Sequence, residues 1–274
     1  VGQVRTFKLR TGGSVIPTVG LGVFRAPRGE VTRTTVGTAL QLGYRHIDTA
    51  AVYGNEADVG AAVWESGVSR GEVFVTTKLW NEDQGYDSAL RAFDASLARL
   101  GLEYVDLYLL HWPVPGKRLE SWRALEAIHA SGRARAIGVS NFMPNHLDEL
   151  LGQARVPPAV NQIEVSPFLQ QRDVRTRCAR DGIVVEAYSP LTKGLRLGHP
   201  VVGRIAAGVG RTAAQVLLRW GIESGLVVLP KSTRPERLAE NLAVQDFALS
   251  SEQMADLDAL EEGLTTGWDP RGRP

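Results

Sequence analysis

Four residues of this 274-residue chain, Asp48, Tyr53, Lys78 and His111, stand at or just beyond the ends of successive short apolar runs. A Lys–Asp pair buried beside a phenol stabilises the phenolate, which would draw a tyrosine pKa down from ~10 toward a working range. A phenol tuned in this way serves as general acid toward a carbonyl oxygen. The lysine is telling. Among thirty-one basic residues only Lys8, Lys78, Lys117, Lys193 and Lys231 are lysine, so arginine is the default cation. Only lysine gives up its proton readily or acts as a compact point charge, which marks Lys78 as a chemical choice. Each residue taken singly also has a plain structural use. His111 reads as a packed histidine, Asp48-Thr49 as the opening of a turn, and Tyr53 before Gly54-Asn55 as a turn aromatic. Together they favour chemistry.

The succession of polar strand ends continues through Ser140-Asn141, Gln162 with Glu164, Tyr188-Ser189 and Lys231-Ser232. In Pro230-Lys-Ser-Thr-Arg-Pro-Glu-Arg237, the segment Thr233-Arg-Pro-Glu236 reads as a capping box with proline in the first helical turn. Lys231, Ser232 and Arg237 would flank that helix N-terminus, a place suited to phosphate, although either cation alone also reads as a solvated surface charge. Gly20-Leu-Gly22 lacks the third glycine of a dinucleotide fingerprint. Gly208-Val-Gly210-Arg-Thr-Ala213 fits it on paper but sits in the seventh unit with no strong strand before it, so it reads as a helix-entry turn. No Rossmann signature, HExxH or Walker A pattern is present.

The elements that would position these residues alternate at intervals of about 25 to 30 residues, the size of a βα unit. The strand-like runs are Val19–Phe24, Tyr44–Asp48, Val73–Lys78, Val105–His111, Ala134–Ser140, Val160–Glu164, Ile183–Tyr188 and Leu226–Pro230. Helix-like segments are expected over Val31–Leu42 and Ser88–Leu100, ending on Gly43 and Gly101, and over Glu56–Ser66, Leu119–Ser131, Asn145–Ala154, Arg172–Arg180, Ala213–Glu223 and Arg234–Val244. Eight strands alternating with eight helices imply an α/β fold, a (β/α)8 TIM barrel. Phe7–Ile16, around Thr11-Gly-Gly13, predicts an N-terminal β-hairpin capping the barrel bottom. Ser251–Leu260 predicts an extra C-terminal helix, with Gly263–Pro274 as an irregular tail. No linker divides the chain, so residues 1–274 are expected to form a single domain.

Composition narrows the classes further. Thirty-one basic against thirty acidic residues give a formal charge of +1, with no electrostatic footprint for nucleic acid or an anionic membrane. A single cysteine, Cys178, excludes a disulfide framework and a cysteine-based zinc site. No apolar run approaches the ~20 residues that span a bilayer, and Val1–Arg10 has no apolar secretory core. A soluble cytoplasmic protein is expected.

With these residues laid out, the sequence strongly resembles the aldo-keto reductase family over nearly its whole length. Gly43-Tyr-Arg-His-Ile-Asp-Thr-Ala-Ala-Val-Tyr-Gly-Asn-Glu56, Leu107-Tyr-Leu-Leu-His-Trp-Pro113 and Pro230-Lys-Ser-Thr233 carry the match. Ile137-Gly-Val-Ser-Asn141 and Pro158-Ala-Val-Asn-Gln-Ile-Glu164 add to it. The chain looks most like short bacterial members related to 2,5-diketogluconate reductase. The resemblance implies NADPH-dependent reduction of aldehydes, ketones or α-dicarbonyls to alcohols, with Tyr53 as general acid. It makes Lys78 and Asp48 the tuning pair and His111 the donor that orients the carbonyl. It places NADPH, extended over the barrel mouth, on Val23, Asp48, Ser140, Asn141, Gln162, Tyr188, Ser189 and Leu191. Tyr188 would stack on the nicotinamide, and Ser140, Asn141 and Gln162 would hold its carboxamide. Lys231, Ser232, Thr233 and Arg237 match the 2′-phosphate clamp, with Glu240 and Asn241 at the adenine. Phe24, Tyr53, Trp80, His111 and Trp112 match substrate-binding positions.

The resemblance brings no metal, and the chain is expected to act as a monomer. Two departures bear on substrate: the link Pro113–Arg118 and the tail after Gly263 are both short. They imply an open, shallow pocket, with Trp268 placed either over the mouth as a partial lid or against the outer helices. Two other classes compete. A metallohydrolase would need clustered ligands, yet only His46 and His111 of five histidines stand near strand ends. A non-catalytic NADPH sensor on the same barrel is opposed by the complete tetrad.

Overall fold

Strands covered on both faces read as continuous apolar runs, and Val105–Leu110 is buried at every position. In the computed structural model, which describes residues 5–11 and 13–272, this run is the centre of a parallel sheet. Gly12 of the expected hairpin turn, residues 1–4 and tail residues 273–274 lie outside that description.

A hairpin comes first, β1 (Thr6–Lys8) against β2 (Val15–Pro17), with Phe7 opposite Ile16. Then follow β3 (Leu21–Gly22), β4 (His46–Asp48), β5 (Phe74–Leu79), β6 (Val105–Leu110), β7 (Ala134–Ser140), β8 (Val160–Glu164), β9 (Val184–Tyr188) and β10 (Val227–Leu229). Neighbours in sequence are parallel neighbours in the sheet. The two edges meet: Val228 N donates to Thr18 O at 2.8 Å, Gly20 N to Val228 O at 3.0 Å and Gly22 N to Pro230 O at 3.2 Å. The sheet is a closed barrel, as expected from the alternation.

The seam demands a glycine. A Cβ on Gly20 would lie 2.6 Å from His46 Nδ1 and 2.7 Å from Leu229 Cδ2.

The helices are α1 (Glu30–Leu42), α2 (Glu56–Glu65), α3 (Tyr86–Leu100), α4 (Arg118–Ala130), α5 (Pro144–Leu151), α6 (Arg172–Arg180), α7 (Pro200–Val209), α8 (Ala213–Glu223), α9 (Pro235–Leu242) and α10 (Ser251–Asp258). Gly43 and Gly101 end α1 and α3 in the left-handed conformation, as their positions implied.

Three sequence expectations change. Helix α7 is additional, so among the described residues nine helices rather than eight precede the C-terminal one. Gly208-Val-Gly210 ends α7, with Gly210 as its left-handed cap, and Thr212 then caps α8 through a box with Gln215. The box expected at Thr233–Glu236 does not form. Arg234 is the N-cap of α9 and makes no side-chain cap, while its N–H donates to Ser232 Oγ at 3.1 Å. Proline does take the first turn.

Two apolar layers result. Alternate positions face the helices, among them Tyr108, Leu110, Ile137, Val139 and Ile163. The others, including Leu107, Leu109, Ala136, Val160, Val227 and Leu229, fill the barrel together with Leu9 and Ile16 of the hairpin segment. The hairpin therefore closes one end, and the polar side chains gather at the other. Among the described residues no single helix is long and apolar enough to cross a membrane.

Candidate active site

Lys78, near the end of β5, is fully buried, which obliges its ammonium to find partners. Nζ lies 2.7 and 2.8 Å from the two oxygens of Asp48 at the end of β4, 2.9 Å from Thr49 O and 3.4 Å from Tyr53 Oη. Tyr53 comes from a short 3-10 turn, Ala51–Tyr53, closed by left-handed Gly54. At φ 68° the Gly54 backbone favours glycine, and a Cβ there would also have to push aside the Arg28 guanidinium. Asn55 anchors the turn, donating to Val23 O at 3.0 Å and accepting from Thr49 Oγ1 at 2.7 Å. His111, one residue beyond β6, has its ring centroid 5.8 Å from that of Tyr53. The four residues singled out from the sequence converge.

Their electrostatics correct one expectation. Burial pushes the Tyr53 phenol above its usual 10; the Lys78 charge pulls it down, Asp48 pushes it up, and the net direction is upward. The Lys–Asp pair is thus not depressing the phenol at rest, because desolvation outweighs it. The phenol stays protonated at neutral pH, with the Lys78 ammonium beside its oxygen. Burial alone would lower Lys78, but the Asp48 carboxylate outweighs it and holds the ammonium above its ordinary value. Burial, aided by the Lys78 charge, drives His111 well below 6.5. His111 is therefore a neutral hydrogen-bonding group rather than an acid.

The expected cofactor residues line the same mouth. Ser140 Oγ donates to Gln162 O at 2.8 Å, and Asn141 Nδ2 donates to His111 O at 3.0 Å. Asn141, left-handed at φ 64°, accepts from Tyr188 Oη at 2.9 Å, which fixes the tyrosine ring. Gln162 is pinned between Asp48 and Glu186. Val23 is buried beside Asp48, while Ser189 and Leu191 lie in the loop after β9, where Ser189, Thr192 and Lys193 all take left-handed backbone. Lys231 and Arg237 are exposed around the first turn of α9, Ser232 is buried and Thr233 partly so. Asn241 is buried in α9, whereas the Glu240 carboxylate already accepts from Thr212 Oγ1 at 2.6 Å.

Aromatic rings surround Tyr53 and His111. Phe24 lies 5.0 Å from the Tyr53 ring, Trp80 5.2 Å from His111, and Trp112 stacks near His111 at 6.5 Å. The tail adds Trp268, edge-on to Trp112, so it stands at the mouth and not against the outer helices. Buried Glu164 holds that tail, accepting from Thr266 N at 2.9 Å, from the Thr266 hydroxyl and from Gly267 N at 3.3 Å. Lys193 reaches the same stretch at Thr266 O. Sequence reading noted Glu164 only as a polar strand end. It noted His46 only as a histidine near a strand end and missed Glu186, although Glu186 and Tyr188 share one face of β9 by simple alternation. No cluster able to hold a metal ion occurs among the described residues.

A closed barrel whose mouth carries a tyrosine, lysine, aspartate and histidine in contact defines a class of enzyme. The sequence pattern of the aldo/keto reductase family matches residues 19–262. The chain is 48% identical over 265 residues to a glyoxal reductase of Bacillus subtilis, covering 97% of this chain and 96% of that one. It superposes on an aldo/keto reductase of Brucella melitensis with a TM-score of 0.91 and 44% identity, covering 94% of this chain and all of the other. A Bombyx mori aldo-keto reductase in complex with NADP gives a TM-score of 0.91 at 36% identity, over 97% of this chain and 95% of that one. The chain belongs to the aldo/keto reductase family and is an oxidoreductase.

Proposed function

We propose that this enzyme reduces small aldehydes, ketones and α-dicarbonyls to alcohols, with NADPH as reductant and Tyr53 as general acid. The observation that carries the reading is Lys78 Nζ, in contact at once with both oxygens of Asp48 and with Tyr53 Oη. A buried ammonium shared by a carboxylate and a phenol has one evident use: to stabilise negative charge as it develops on the phenol oxygen.

The donor set at the mouth fits a phosphorylated dinucleotide. Lys231 and Arg237 offer exposed cations beside the start of α9, whose first N–H groups have no side-chain cap. Tyr188 offers a ring already oriented by Asn141. These residues, with Ser140, Asn141 and Gln162, would hold the adenine-side phosphate and the nicotinamide respectively. When bound, NADPH supplies the hydride that reduces the carbonyl carbon. Tyr53 passes its phenolic proton to the carbonyl oxygen as the alcohol forms. Lys78 stabilises the phenolate left behind, and Asp48 fixes the ammonium. Neutral His111 steers the carbonyl oxygen by hydrogen bonding. Tyr53 then recovers a proton from water at the mouth.

Phe24, Trp80, Trp112 and Trp268 supply apolar walls, but Phe24 and Trp268 are each about half exposed. Such walls suit small carbonyl compounds and discriminate weakly among homologues. Glyoxal, the substrate named for a relative, is an α-dicarbonyl of this size. The decisive assay follows NADPH oxidation at 340 nm with glyoxal and a panel of aldehydes, ketones and sugars. Steady turnover abolished by Tyr53→Phe supports the proposal. NADPH binding without turnover on any carbonyl would make the barrel a sensor instead.

A further inference from the structure

Gln162 stands between two acids. Its Nε2 lies 2.8 Å from Asp48 Oδ2 and 2.9 Å from Glu186 Oε2, and Gln162 and Glu186 are directly opposite in the β8–β9 register. A side-chain amide nitrogen carries two hydrogens, and here both are taken. The plane of the amide is thereby fixed, leaving Oε1 as the end available to an incoming donor. Asp48 alone would hold one hydrogen and leave the amide free to swing about that bond. The second anchor is Glu186.

Glu186 lies inside the barrel with no exposed surface and plays no part in the chemistry described above. Burial and the nearby Asp48 charge raise its carboxyl well above the usual range, to about 8. In its neutral form it accepts from Gln162 without setting a second negative charge against Asp48. The Lys78–Asp48 charge balance is left intact. The other oxygen, Oε1, faces buried His46, whose Nε2 is 3.5 Å away and also 3.3 Å from Thr76 Oγ1. Burial keeps that imidazole neutral as well, with its pKa lowered to about 4. A buried, uncharged polar layer thus underlies the charged one at the mouth.

We infer that Glu186 is a positioning residue: it locks the Gln162 amide with Nε2 inward, so that Oε1 is presented to the cofactor's carboxamide and Asp48 stays aligned with Lys78. The inference rests on the NADPH reading above for what Oε1 receives, but not for the lock itself.

The test compares Glu186→Leu with Glu186→Gln. Leucine fills the space and offers no acceptor, whereas glutamine keeps an acceptor oxygen for Gln162. With Glu186→Leu, the NADPH Kd should rise and kcat fall, each by about tenfold for the loss of one buried hydrogen bond, while the carbonyl KM changes little. Glu186→Gln should restore both to within about threefold. Crystal structures should show the Gln162 amide turned or displaced in the leucine variant and in place in the glutamine variant. Wild-type kcat and Kd in Glu186→Leu would overturn the inference, as would equal damage from both substitutions. Should the leucine variant not fold, Glu186→Ser, too short to reach Gln162, takes its place with the same expectations. If the wild-type protein binds no NADPH, the cofactor reading fails. The lock is then judged from the crystal structures alone, and an unmoved Gln162 in Glu186→Leu or its serine substitute refutes it.

Discussion

Trp268 meets Trp112 edge-on, with ring centroids 4.6 Å apart and ring planes at 81°. Aromatic pairs in this arrangement contribute about 0.5–1.5 kcal/mol beyond their area, enough to bias a tail but not to immobilise it. Glu164 supplies the rest of the grip through the backbone of Thr266 and Gly267. The contact sits next to His111, so a short tail walls the place where the carbonyl would lie.

Releasing that wall should alter selectivity more than catalysis. Deleting residues from Gly263 onward, or substituting Glu164→Ala, should change kcat/KM unevenly across a series of small and bulky aldehydes. Ratios should move by roughly threefold or more, short of the about tenfold or greater effect of one methylene in an enclosing pocket. NADPH affinity should stay nearly intact. Unchanged ratios across the whole series would mean that the tail serves the fold only.

Removing the acid should stop the reaction without emptying the site. Tyr53→Phe is expected to lower kcat by about 10²–10⁴-fold, the usual contribution of a general acid, while NADPH still binds. Lys78→Arg should also be damaging although it keeps the charge. A planar guanidinium cannot meet Asp48, Thr49 O and Tyr53 Oη from a fully buried position built for a compact ammonium. Near wild-type kcat in either variant would withdraw the role assigned to that residue.

Cofactor preference should lie in the exposed cations of α9. Arg237→Ala should weaken NADPH by roughly tenfold and NADH far less, because a charge-assisted hydrogen bond to the 2′-phosphate contributes about 1.5–3 kcal/mol. Raised salt should erode the same preference by screening. Equal losses for the two cofactors, read by fluorescence titration, would assign Arg237 to the adenine or to the fold.

Glu186 should leave a signature in stability as a function of pH. Its carboxyl is raised from 4.5 to about 8 by burial and Asp48, with Lys78 and the Gln162 hydrogen bond opposing, and buried His46 facing its other oxygen. For a raised folded-state pKa the stabilising contribution is complete below 4.5 and is lost as pH climbs through 8. Glu186→Gln has no proton to lose. The stability of this variant relative to wild type should therefore grow steadily between pH 5 and 8. His46 tilts the opposite way over a different window, its contribution present above 6.5 and lost as pH falls toward 4. Urea unfolding at pH 5 and pH 8 measures the difference, and parallel curves for the two proteins would show that Glu186 does not titrate as described.

Much of this molecule was legible because parallel strands are marked by burial on both faces. Ala134–Ser140 and Val160–Glu164 have the bounds expected of them, and the four candidate side chains fall at or near strand ends where polar residues interrupt apolar runs. Helix α7 was hidden for a physical reason. Gly203 and Gly208 within it break the helical pattern, and packing against α8 overrides their poor propensity. Ser232 answers the Arg234 N–H, so the expected capping box at Thr233 has no work to do. Glu186 escaped because it stands within a strand among apolar neighbours, where one polar letter carries no spacing signal. Only the β8–β9 register, setting Glu186 opposite Gln162, reveals its use.

The hairpin has a consequence for the order of events in turnover. With Leu9 and Ile16 buried against Leu107, Leu109 and Val160, the barrel has an apolar floor, which leaves the mouth to the proposed chemistry. On the proposed reading, NADPH laid across that mouth would have to arrive before the carbonyl and depart after the alcohol. The proton that recharges Tyr53 would come by the same opening. An element remote from the chemistry would thereby impose a sequence on it, and loosening the floor should let steps overlap that the intact barrel keeps apart.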